Sequence, residues 1–474
     1  MFSLHLRRQR PQRRSLIVFV LALLALAPSP AATQTKPKSA AAKTETRAVP
    51  PRCRTDNLQG YKDALLRHDQ ARQAFRTKFR TGYYAVPGVL NADLLKQPPA
   101  ALIEKTVKAL AAIADDRTVL LLYDMAAETS EPKLLCIWLI GPAGLMAAAS
   151  AELPPPSIAF LAREILRVNI RTANRQPVLR KQERSTTPEP SGTTETPPID
   201  ELSNFLLPAQ IRAKLVESNA SRILILPVTD LGNVPWAALP LGGAMLADKA
   251  APVVLADVDW IMHEPPPSEA RPGGLVIGDP DLSGDKRWRF GPIPAARQEA
   301  EAVSLRWSAS LYVGERAKRE TVLSVLSRSP GGLVYFATHG IADPVNPMDG
   351  SFLALMDDHL YARDIKKLTL IDRPLIVMSA CQTGLGKVFN AGVFGLARAW
   401  WQAGASQIVM SLWNVDDAAT RDLMTDFIGQ LGGAATLPRE EALRRAMLNA
   451  RERDPDPALW AGFALFGLPT PSRR

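Results

Sequence analysis

The sequence predicts an α/β fold built on a mostly parallel sheet, and three observations lead there. From residue 222 onward, short apolar runs alternate with amphipathic segments of helical length. The runs cover 223–228, 275–278, 333–337, 375–379 and 408–412, and they are apolar almost throughout rather than at every second residue. Strands of that kind are buried on both faces, which requires helices on both sides of the sheet. The composition of the 474 residues agrees: 46% are hydrophobic and 22% charged, ordinary globular usage that excludes a wholly disordered chain.

The segments between the runs read as helices over 294–307, 319–327, 393–402, 418–431 and 440–449, with Pro294 suited to a first helical turn. Upstream, 54–80 is a polar helix with Leu58, Leu65, Leu66 and Phe75 as packing points. In 99–114, Ile103, Val107, Leu110 and Ala114 recur at helical spacing on one face. Two apolar runs, 119–123 and 134–140, flank the turn-rich 126–132 and predict an antiparallel hairpin. Ile158, Leu161, Ile165 and Val168 form a further amphipathic stripe. The Pro-, Thr-, Ser- and Glu-rich 175–200 reads as a long mobile loop. No repeat of about 34 residues, the period of a tetratricopeptide array, is seen.

The first 31 residues have the three parts of a secretory signal peptide. They are a basic stretch with Arg7, Arg8, Arg10, Arg13 and Arg14, an apolar stretch over 15–27, and small-residue cleavage sites ending at Ala27 or Ala31. Pro28 disfavours the first, so cleavage is expected after Ala31. Arg13 and Arg14 loosely resemble a twin-arginine signal. The alternative, an uncleaved anchor, asks for a longer apolar run, since a span needs about 20 residues. The expected organisation is a signal peptide over 1–31, a disordered linker over 32–52, a small helical segment over 53–115 and a main domain over 116–470. The chain is thus expected to be exported, to the periplasm or beyond, with no stable membrane span after cleavage.

The formal charge is +10, and loss of the first 31 residues brings it to +5. The remaining cations are interspersed with acids, so a nucleic-acid partner is not expected. Three cysteines are too few for a disulfide scaffold. Cys53 and Cys136 can pair in an oxidising compartment, leaving Cys381 as an odd and reactive thiol; equally, free cysteines are most often buried apolar groups. None of the five histidines lies at metal-ligand spacing to another, and no nucleotide-binding glycine loop or serine elbow is present.

Chemistry concentrates at two strand ends. The run 333–337 ends in Thr338-His339-Gly340, and 375–379 ends in Ala380-Cys381-Gln382-Thr383-Gly384. Sites in open parallel sheets form at the carboxyl ends of strands. On adjacent strands, about 5 Å apart, the imidazole and thiol come within reach of each other. The imidazole then supplies a base, and the thiolate is a nucleophile near neutral pH. The backbone N–H groups of Gly340 and Cys381 suit an oxyanion hole. Taken singly, His339 reads equally as a loop histidine and Cys381 as a small core residue.

These residues resemble the His and Cys motifs of the CHAT-domain cysteine peptidases, a caspase-like family with separases and gingipains as distant relatives. Val234-Pro235-Trp236-Ala237-Ala238-Leu239, Ile277-Gly278-Asp279-Pro280, Pro294-Ala295-Ala296-Arg297-Gln298-Glu299-Ala300, Ser411-Leu412-Trp413-Asn414-Val415-Asp416-Asp417 and Trp460-Ala461-Gly462-Phe463 are similar to further family segments, in order, over about 117–469. The resemblance implies a caspase-like α/β sandwich, His339 as general base, Cys381 as nucleophile, and no metal or organic cofactor. A protein or peptide substrate and an activating partner are expected. It also implies an acidic first substrate pocket in members with basic specificity. Asp416 and Asp417, with Trp413 as a wall, are the residues so placed here, although both acids stand equally where a helix N-cap belongs and Trp413 where core packing is usual. Asp343 and Asp349 read as turn residues near His339, and His359 as a surface residue of a hairpin turn. The alternative to a peptidase is a catalytically silent binding or scaffold module of the cell envelope.

Overall fold

The computed structural model describes residues 53–54, 57–79, 96–113, 115–125, 133–153, 168, 198–256, 258–262, 273–288, 290–328, 330–343, 346–380, 395–432 and 437–470. The signal sequence and linker read over 1–52, the stripe at 158–165, the loop over 175–197 and Cys381 lie outside these residues.

The apolar runs form the strands of one eleven-stranded sheet. In chain order these are β1 (Thr118–Met125), β2 (Lys133–Gly141), β3 (Gly144–Leu153), β4 (Arg222–Leu226), β5 (Ala251–Val254), β6 (Gly274–Pro280), β7 (Ser310–Gly314) and β8 (Leu333–Ala337). A separate three-stranded sheet follows, β9 (Gly340–Ile341), β10 (Phe352–Leu353) and β11 (Leu360–Tyr361). The large sheet is completed by β12 (Leu375–Ser379), β13 (Gln407–Ser411) and β14 (Phe463–Gly467). Its order is β3-β2-β1-β4-β5-β14-β13-β12-β8-β6-β7. Neighbours are parallel except at β1–β2, β2–β3 and β13–β14. The reversal at β13–β14 sets β1, β4, β5 and β14 in one direction and β6, β7, β8, β12 and β13 in the other, and β6, β8, β12 and β13 share one carboxyl edge.

Among the described residues, the helices of eight residues or more are α1 (Leu58–Phe79), α2 (Pro99–Ile113), α3 (Pro198–Leu206), α4 (Ala209–Glu217), α5 (Pro294–Trp307), α6 (Arg319–Arg328), α7 (Leu396–Ala403), α8 (Asp417–Leu431) and α9 (Arg439–Arg453). They cover both faces. On β8, Leu333, Tyr335 and Ala337 join the core under α1, α2, α5, α8 and α9. Val334 and Phe336 join the opposite core under α3, α4, α6 and α7. All five residues are fully buried, which is why the run has no polar alternation. Each such side chain contributes about 1.5–3 kcal/mol relative to exposure.

The mostly parallel, two-sided α/β sandwich is therefore as expected. Three refinements emerge. The hairpin at 118–141 gains a third strand, β3, whose Ala-rich sequence carries little strand signal. The short strands β5, β7 and β14 lie in segments that the apolar-run criterion passes over. Residues 198–200, read as the end of a loop, open α3, with Asp200 and Glu201 favourable in its first turn. Upstream, α1 and α2 pack Tyr61, Leu65, Leu102 and Leu110 into the same core as the sheet. The Cys53–Cys136 disulfide ties this layer to β2. No helix among the described residues is long and apolar enough to cross a membrane.

Candidate active site at the strand edge

β8 and β12 are parallel neighbours, with Ala337 opposite Ser379. His339 follows two residues after Ala337, and Cys381 two residues after Ser379. The chain thus leaves both strands at the same level of one edge. A one-residue slip would send each side chain of these strands into the opposite core. The edge is tied sideways by the Ser411 hydroxyl at the end of β13, which donates to the carbonyl of Ala380, the residue before Cys381 in the sequence.

The His339 imidazole is held from two sides. Its ring stacks on Phe290 at 4.7 Å between centroids and 14° between planes. Its Nε2 lies 2.7 Å from the Gly291 carbonyl oxygen. A carbonyl only accepts, so Nε2 carries the proton and Nδ1 keeps the lone pair in the neutral ring. The backbone is equally fixed: Ala354 N–H donates to the His339 carbonyl at 2.8 Å, and the Thr338 hydroxyl donates to the Ala354 carbonyl at 2.9 Å. Gly340 faces Leu353 across β9–β10. With the bond flanking that pair running from Ala354 to His339, Gly340–Leu353 is a non-hydrogen-bonded pair, and the Gly340 N–H is directed away from β10.

Asp416 is the N-cap of α8, its Oδ1 accepting from the Ala419 N–H at 2.9 Å. Asp417 spans two helices. It opens α8, and its Oδ2 accepts from the Ala295 N–H at the start of α5, 3.0 Å away. Burial pushes the Asp417 carboxyl above its ordinary value; the Ala295 and Ala296 N–H groups and the nearby His339 ring oppose that push, and Asp416 adds to it. Trp413 is 2% exposed and donates its Nε1–H to the Ala458 carbonyl at 3.1 Å, so it stands in the core. Asp343 accepts from the Asn346 N–H at 2.9 Å, a turn contact. Asp349 lies 3.8 Å from Arg363.

His359 requires a correction. The hairpin is present as β10–β11, but the ring is not at the surface: it is 7% exposed. It stacks flat on Phe352 at 4.1 Å and 5°, and its Nε2 meets Asp285 Oδ2 at 3.1 Å. Burial lowers its pKa, which Asp285 and Asp358 oppose. Beneath the edge, the α5 carboxyl of Glu299 is 1% exposed and accepts from the Tyr335 hydroxyl at 2.6 Å. Burial raises its pKa from 4.5 to about 7, against the effect of the Tyr335 and Ser379 hydroxyls.

Sequence reasoning missed Asp285, Phe290, Gly291 and Glu299. A backbone carbonyl leaves no trace in a sequence. The signal that was present is Trp288 and Phe290 inside a turn-rich polar segment, where two large aromatics need a surface to pack on.

The fold is an α/β sandwich on a mostly parallel sheet, with a histidine just after one central strand and, in the sequence, a cysteine two residues after its neighbour. The profile of the CHAT domain matches residues 196–468, more than half of the chain, and the chain belongs to the CHAT domain family. It is similar to tetratricopeptide repeat protein 28 of Homo sapiens, at 32% identity over 40% of this chain and 9% of that protein. The Mus musculus protein of the same name is 30% identical over the same shares. The chain therefore spans about a tenth of the length of these relatives (9%). Among solved structures it is similar to Saccharomyces cerevisiae separase in complex with securin, with a TM-score of 0.49 and 11% identity over 80% of this chain and 31% of that one. It is also similar to the Arg-specific cysteine proteinase gingipain R of Porphyromonas gingivalis, with a TM-score of 0.39 and 12% identity over 58% and 68%.

Proposed function

We propose that this chain is an exported CHAT-family cysteine endopeptidase with Cys381 as nucleophile and His339 as general base. The observation that carries the reading is the pairing of β8 with β12 at Ala337–Ser379, which brings the exits toward His339 and Cys381 side by side. The Gly291 bond to His339 Nε2 supports it, because a ring held there has its basic nitrogen at Nδ1.

The thiol proton passes to His339, and the thiolate sulfur attacks the carbonyl carbon of the scissile peptide bond. The carbonyl π pair moves onto oxygen, which the Gly340 and Cys381 N–H groups stabilise. Collapse restores the carbonyl and breaks the C–N bond, and His339 returns its proton to the departing amine. Water, deprotonated by the same imidazole, then attacks the thioester and releases the carboxylate product and free thiol. We assign Asp417 as the acid facing a basic residue before the cut. Its partly buried carboxylate beside His339 supports this, since an Arg or Lys side chain gains most from a carboxylate shielded from water. The Cys53–Cys136 disulfide supports export, because such bonds persist in oxidising compartments.

Purified protein beginning at residue 32, beside its Cys381→Ala and His339→Ala variants, is the test, read by incubation with a diverse peptide library. Cleavage after Arg or Lys in the parent alone is the expected result. Equal cleavage by the Cys381→Ala protein sinks the mechanism. Cleavage in none, with a Cys381 inert to an electrophilic peptide probe, moves the chain to the silent binding-module class. A probe-reactive Cys381 without cleavage marks an enzyme that requires an activating partner.

A further inference from the structure

We propose that His359 and Asp285 form a clamp that positions the imidazole of His339. The proposal rests on the peptidase reading only for its consequence in catalysis; the clamp itself is geometric. The segment between β6 and α5 contributes Asp285, Trp288, Phe290 and Gly291, and it lies over the three-stranded sheet. Asp285 works in two directions. Its Oδ1 accepts from the Arg287 and Trp288 N–H groups at 2.8 and 3.0 Å, which folds the segment into a turn. Its Oδ2 takes the His359 Nε2 contact at 3.1 Å. Beyond that turn the chain sets Trp288 against Phe352 at 5.2 Å and Phe290 against His339 at 4.7 Å. It then presents the Gly291 carbonyl to His339 Nε2.

The clamp and the target stand on one small scaffold. His359 directly precedes β11, which pairs with β10, and β10 pairs with the Gly340–Ile341 strand that follows His339. Phe352 of β10 lies flat against His359 and carries Trp288 on another side. A bond from His359 to Asp285 therefore fixes the segment relative to the strand that bears His339, and through it the Gly291 oxygen. The chemistry of the two atoms fits. His359 donates from Nε2 to a carboxylate, a charge-assisted bond shielded from water. Nδ1 is then a bare lone pair, buried without a hydrogen-bond partner among the described residues, while Asp358 and Arg287 are the other charged groups that act on the ring. His359 is thus a positioning residue: it touches no substrate and acts through Gly291 on the tautomer of His339.

The test uses His359→Phe, which keeps a flat ring on Phe352 and removes the Asp285 contact. Two readouts apply to folded full-length protein. One is the pH dependence of Cys381 alkylation by iodoacetamide, a reagent too small to report substrate binding. The other is the tautomer of His339, from nitrogen NMR on 15N-histidine-labelled protein. We expect alkylation near neutral pH to fall about tenfold or more, because a positioned general base contributes about a hundredfold or more and a misplaced one loses part of that. The rate at high pH, where any thiol is ionised, should stay unchanged. The His339 ring should lose its uniform Nε2–H form. Asp285→Asn, which retains an oxygen for the two turn N–H groups, should give a smaller fall in the same direction, and it serves if His359→Phe does not fold. An unaltered pH profile together with an unaltered His339 tautomer overturns the clamp. If the parent Cys381 alkylates no faster than an ordinary thiol, the peptidase reading fails instead, and the tautomer alone decides the clamp.

Discussion

The Glu299 carboxyl is closed off from water on the helix whose first turn Asp417 caps, and it accepts from the Tyr335 hydroxyl. Its pKa of about 7 lies above the ordinary 4.5, so the folded chain holds this proton more tightly than the unfolded chain. Its contribution to stability is complete below pH 4.5 and is lost as the pH rises through about 7. The shift corresponds to about 3 kcal/mol when the group is fully ionised. Glu299→Gln keeps an oxygen for Tyr335 and carries no charge. Chemical unfolding should find the variant more stable than the parent at pH 8, by up to about 3 kcal/mol, and equal to it near pH 4.5. A difference independent of pH would show that the charge is not the cause. At this scale the sequence was partly legible. His339 and Cys381 announce themselves by following apolar runs, whereas Glu299 and His359 are polar letters that become interior only once other elements close over them.

Among the elements, α5 is placed by the absence of a side chain. A Cβ at Gly278 in β6 would stand 2.2 Å from the Ala300 Cβ and 3.2 Å from the Ala296 carbonyl oxygen. Gly278→Ala must therefore lift α5 from the sheet, at a cost of about 1–3 kcal/mol. Ala300→Gly opens the same space for about 1 kcal/mol of helix propensity. The double variant should then be more stable than Gly278→Ala alone, which denaturant midpoints would reveal. Additive losses would mean that the two positions do not touch. The helices and central strands were legible because continuous apolar runs and helical periodicity both report burial directly. β3, β5, β7 and β14 were not, being short or Ala-rich strands whose place is set by neighbours distant in sequence.

Across the whole molecule, the Cys53–Cys136 disulfide closes a loop of 83 residues and holds the α1–α2 layer on β2. Loop-closure entropy assigns a bond of that span about 4.5 kcal/mol. The Cys53→Ser/Cys136→Ser variant should lose stability on that scale in urea, and reductant should bring the parent to the variant's midpoint while leaving the variant unmoved. The sheet order carries a further consequence. β14, last in sequence among the strands, lies between β5 and β13 and is the join between blocks of opposite direction. During vectorial synthesis the two blocks exist before their join does, each with an open inner rim of unpaired N–H and C=O groups. Until residues 463–467 arrive, the rim of β13 on the side away from β12 has no partner. A nascent or prematurely terminated chain therefore carries both open rims, a transient exposure of sticky backbone that ends when β14 pairs on its two sides.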